Sequence, residues 1–93
     1  MKKNYINWTK VYILDHQNGL FKVYVSSHTN GYYFGGVLHY VRRGNWSEGS
    51  EIKVDMKLEQ FMNHSEEGVY QQCTEWVTKN LPGKWTIKLV ETI

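Results

Sequence analysis

Ile52, Val54, Met56 and Leu58 alternate with Glu51, Lys53, Asp55 and Lys57. A period of two puts the apolar side chains on one face and the charged ones on the other. The segment is therefore a strand with one covered face and one wet face. A sheet built from such strands needs one covering layer. The chain offers one candidate: Val69, Cys73, Trp76, Val77 and Leu81 recur at helical spacing and make a single apolar stripe. Asn63 or Ser65 can cap that helix, Glu66 and Glu67 suit its positive end, and Pro82-Gly83 stops it.

The remaining segments read as strands. Trp8 to Leu14 is rich in bulky and β-branched types, and Asn18-Gly19 follows as a turn. Residues 20–27 set Phe21, Val23 and Val25 against Lys22, Tyr24 and Ser26. Asn30-Gly31 repeats the turn signal. A third strand runs from Tyr32 to about Arg43, and Gly35-Gly36 inside it suggests a bulge or bend. Gly44 to Ser50 reads as a loop with Trp46 at its tip, and Glu59 to Asn63 as a connection into the helix. Trp85, Ile87 and Leu89 alternate with Lys84, Thr86 and Lys88 in a last strand that should return to the sheet edge. Met1 to Asn4 reads as a frayed end.

The order β-β-β-β-α-β with short turns implies an antiparallel meander under one helix, a two-layer α+β fold. Composition agrees. There is no alanine, the best helix former, while Val, Ile, Thr, Tyr, Phe and Trp supply 34 residues. At 93 residues the chain reads as one domain, 1–93. Its apolar runs, such as Val11-Tyr12-Ile13-Leu14, are too short to span a bilayer, so no membrane partner is expected. The lone Cys73 rules out an internal disulfide and suits a cytoplasmic setting.

Signatures of chemistry are weak. The chain has no GxxxxGK[ST], GxGxxG or HExxH pattern. His16, His28, His39 and His64 are too widely spaced for a zinc site, and three of them read as turn or loop residues. Cys73 falls on the apolar stripe, which makes it a core thiol rather than a nucleophile. Asp15 beside His16, or His64 near Glu66 and Glu67, would need to converge in a pocket to act as acid and base. The expectation is no enzyme, no cofactor and no metal.

The surface carries the functional reading. Net charge is +2, but residues 1–43 hold six Lys/Arg and one Asp, whereas residues 44–93 hold five Lys and eight Asp/Glu. A split of this kind can mark a basic face. If Phe21, Val23, Val25, Ile52, Val54 and Met56 face the helix, the open face should carry Lys10, Tyr12, Lys22, Tyr24, Lys53, Asp55 and Lys57. Tyr40 and Arg42 would join them if the glycine bulge leaves the register unchanged. Arg43 and Trp46, in and beside the following loop, complete the candidate site, since Tyr, Trp and Arg are enriched at binding hot spots.

The chain resembles, in size and style only, the small proteins of phages and mobile elements that inhibit host defence complexes, and small toxin-neutralising proteins. The resemblance rests on no motif. It implies a non-enzymatic inhibitor that docks on a protein partner and blocks it sterically. The alternative is a nucleic-acid binder, with bases stacked on tyrosines and cations along the backbone. A third reading, a nucleotide held between aromatic rings, would need a concave pocket. Exposed sheet edges also leave homodimer formation open.

Overall fold

The computed structural model describes residues 5–45 and 50–93, and the side chains of residues 5–39 and 56–93. The elements are β1 (Ile6–His16), β2 (Gly19–His28), β3 (Tyr33–Asn45), β4 (Ser50–Asn63), α1 (Glu66–Asn80) and β5 (Trp85–Thr92). The strands form one antiparallel sheet in the order β4-β3-β2-β1-β5, and α1 packs on one face of it, chiefly over β2, β3 and β4. This is the two-layer α+β arrangement that the residue pattern implies, with β5 returning to the edge beside β1. Met1 to Asn4 and Trp46 lie outside the described residues, as do the side chains of Tyr40, Arg42 and Arg43.

The β1–β2 turn sets the geometry of the whole sheet. His16 pairs with Gly19, leaving Gln17 and Asn18 between the strands. Only Gly19 of the turn has positive φ, at 142°. A glycine adopts that backbone at little cost, which lets the strands close at this short spacing. From there the register runs Leu14↔Phe21, Tyr12↔Val23 and Lys10↔Val25.

The core lies between the helix and the middle of the sheet. Leu14, Phe21, Val23, Val25 and Val37 meet Val69, Cys73 and Val77, all buried. Ser65 caps the helix, its hydroxyl accepting from the Gly68 amide at 3.0 Å. At the other end the buried His16 ties helix to sheet. Its Nε2 donates to the Leu81 carbonyl at 2.9 Å, and its Nδ1 accepts from the Asn18 amide at 3.0 Å. Both ring nitrogens are therefore used in the neutral Nε2–H form.

Three local expectations are corrected. Gly35-Gly36 forms no bulge, since β2 and β3 stay in register from Ser27↔Tyr33 to Leu20↔Tyr40. The irregularity lies further along, where Leu58 of β4 is an extra residue between the pairs Leu38↔Lys57 and Val37↔Glu59. Residues 59–63 consequently continue β4 rather than connecting to the helix. His16, His28 and His39 also belong to strands, and only His64 lies in a loop.

The two glycines instead allow close approach. A Cβ on Gly35 would run into Val69 Cγ1 of the helix and come within 2.5 Å of the Tyr24 carbonyl oxygen. We therefore expect Gly35→Ala to destabilise the fold by about 2–3 kcal/mol, because the helix must lift off β3. Urea denaturation measures this, and an unchanged midpoint would refute the close packing.

Candidate functional site

Directly paired residues of an antiparallel sheet share a face. Phe21, Val23 and Val25 face the helix, so their partners Leu14, Tyr12 and Lys10 do too. This corrects the expected site: Lys10 and Tyr12 do not share a face with Lys22 and Tyr24. Lys10 Nζ instead reaches Glu66 Oε2 of the helix at 2.7 Å and lies 5.1 Å from the centre of the Trp8 ring. The hydrogen bond to Glu66 raises the Lys10 pKa above its ordinary value. The Tyr12 ring packs against Tyr70 with centres 5.1 Å apart, and burial raises its phenol pKa.

Tyr12, Tyr70, Glu66 and Glu67 line an open cleft of about 540 Å³. It does not suit a sandwiched nucleotide. The two rings are tilted at 54° and already in contact, and the carboxylates would repel phosphate.

The opposite sheet face has no layer over it among the described residues. The register places Val11 and Ile13 of β1 there, with Leu20, Lys22 and Tyr24 of β2, Phe34 and Leu38 of β3, Lys57 and Met62 of β4, and Lys88 of β5. Lys22, Tyr24 and Lys57 thus stand where the sequence reading put them. Tyr40 pairs with Leu20 and Asp55, Arg42 with Lys53 and Arg43 with Ile52.

This face is more apolar than expected. Val11, Ile13, Leu20, Phe34 and Leu38 are half-buried among their neighbours, while Met62 is 55% exposed. The Phe34 ring meets His28 at 4.4 Å between centres. Tyr24 lies across Gly36, where a Cβ would come within 2.9 Å of its ring, and burial raises its phenol pKa. Thr9 and Ser26 hydrogen-bond to each other at 2.7 Å between hydroxyls. Val11 and Ile13 were missed because β1 is apolar on both faces. The signal that identifies them is the register of the first hairpin.

Cys73 is buried, and burial pushes its thiol pKa up to about 12. Among the described residues, no three His, Cys, Asp or Glu side chains gather in a way that could hold a metal ion. Among the described residues, no helix is long and apolar enough to cross a membrane. The α+β class is therefore the extent of the assignment by fold: no family model, curated protein or solved structure matches the chain.

Two outcomes test this description. Val37 and Leu38 are adjacent but face opposite ways, so Val37→Asn should cost about 3 kcal/mol and Leu38→Asn about 1 kcal/mol or less. Equal losses in urea denaturation would contradict the facing. The folded protein should also leave Cys73 unmodified by a thiol reagent at pH 8. The raised folded pKa contributes stability that is present below the ordinary value of 9.0 and lost as pH rises toward about 12. Cys73→Ala should accordingly lose less stability than the parent between those limits, and an equal decline would argue against the buried thiol as its source.

Proposed function

We propose that this is a non-enzymatic binding protein that docks the uncovered face of its sheet on a protein partner and blocks it sterically. The observation that carries the reading is the apolar content of that face, contributed by four adjacent strands. A solvated antiparallel face is ordinarily polar, and contiguous uncovered apolar surface marks interaction sites. Aromatic and aliphatic side chains with Lys22 among them, and Lys57 and Lys88 at the two edges, also have the composition of a protein interface. The further reading is an inhibitor in the style of phage and mobile-element proteins, working in the cytoplasm against a host defence complex.

A second reading is nucleic-acid binding, favoured by the β3–β4 hairpin. From Val41↔Val54 to Asn45↔Ser50 these strands pair only with each other, past the last β2–β3 pair at Leu20↔Tyr40. The register sets Arg42 directly opposite Lys53. A two-stranded ribbon carrying cationic residue types fits a DNA major groove.

A benzophenone-labelled Leu38→Cys variant tests the first reading. It should crosslink to a polypeptide in host lysate, and unlabelled parent protein should compete. The same label on Glu75→Cys, at an exposed helix position, should give no such adduct. Equal crosslinking from both positions, or an adduct destroyed by nuclease, would overturn it. Under the second reading, oligonucleotide anisotropy should show binding that weakens steeply with salt and is lost in Arg42→Glu/Lys53→Glu.

A further inference from the structure

One row of the uncovered face runs straight across the sheet as Lys57, Leu38, Lys22, Ile13 and Lys88, on β4, β3, β2, β1 and β5 in turn. Cations and aliphatic side chains alternate from strand to strand. With strands about 4.8 Å apart, successive lysines stand roughly 10 Å apart. From this row we infer that the partner is a polypeptide whose contacting surface alternates apolar side chains with carboxylates at that same spacing. The inference rests on the reading of this face as a protein-docking surface, and it specifies the chemistry of the occupant.

Charge complementarity selects this occupant over the others. A twofold that stacked two copies of the face centre to centre would lay one lysine row over the other, and like charges so placed oppose association. A nucleic acid would need open rings for stacking. Here Tyr24 lies over Gly36 and Phe34 is engaged by His28, while the row itself consists of lysines and aliphatic side chains.

Lys22 already interacts within the protein, so the outer pair carries the prediction. Lys57 and Lys88 are both exposed. Lys57 donates to Gln60 Oε1 at 3.3 Å on its own strand, a contact a partner carboxylate could displace. Five strands over eight residues of length give a face of roughly 600 Å², at the lower end for one side of a specific interface.

The test uses the whole chain and three synthetic helical heptad peptides, with Leu at every first position and Glu, Gln or Lys at every fourth, so that the two alternate along one face and each recurs about every 10.5 Å, alongside an oligothymidylate. Amide shifts in nuclear magnetic resonance report where each probe binds. The Leu–Glu peptide should perturb Ile13, Lys22 and Leu38 and should lose about tenfold in affinity in Lys57→Glu/Lys88→Glu. Both substitutions are at exposed positions, and an unchanged spectrum elsewhere verifies the fold of the variant. If the Leu–Gln peptide binds the same face equally well, the acidic specificity is overturned while the docking face stands. If no peptide perturbs the face, or only the oligothymidylate does, both fall.

Discussion

The helix can lie on this sheet because two consecutive residues of β3 have no side chain. Gly35 makes room for Val69 on one side, and Gly36 makes room for the Tyr24 ring on the other. At that point the sheet is no thicker than its backbone. The glycines are in β3, so the helix settles over β2, β3 and β4, and β1 lies at its flank. Lys10 and Tyr12 reach the helix sideways from there, through Glu66 and Tyr70. Two of the residues that the pattern assigns to the open face are thereby drawn into the helix contact.

Register decides which residues are available for binding. Shifting a strand by one residue exchanges its faces. In β1, Trp8, Lys10, Tyr12 and Leu14 compete with Thr9, Val11 and Ile13, and both sets are largely apolar. Hydropathy gives no answer there. The turn does, because Gln17 and Asn18 alone separate the strands and Leu14 must then oppose Phe21. Counting back from the turn would have put Tyr12 opposite Val23, under the helix. The information was in the sequence, in the loop length rather than in the strand.

The legible parts of the fold are those governed by local rules. The helix stripe of Val69, Cys73 and Val77, its Ser65 cap and its stop before Pro82 follow from spacing and capping chemistry, and all three are present. The strand at residues 51–58 was legible from its alternation, but its continuation was not. Leu58 is an extra residue, so the alternating phase changes there and the pattern looks like the end of a strand. Gly35-Gly36 was recognised as special but for the wrong reason. A glycine pair signals a bulge and a close approach equally well, and only the position of the helix separates the two.

The two faces of the molecule differ in charge, although Lys57 and Lys88 of the uncovered face come from the acidic second half of the chain. On the helix, Glu66, Glu67 and Glu75 outnumber Lys79. Among residues whose side chains are described, the uncovered face carries Lys22, Lys57 and Lys88 against Asp15 and Glu91. A partner bearing carboxylates would be repelled from the helix side and drawn toward the lysine row before any apolar contact forms. Apolar side chains then supply the driving force for burial, and the cations select the orientation. A single 15-residue helix can cover one face of a five-stranded sheet and no more. Val11, Ile13, Leu20 and Leu38 on the other face thus have no covering element within the described chain, and a partner is the element that would complete that second core.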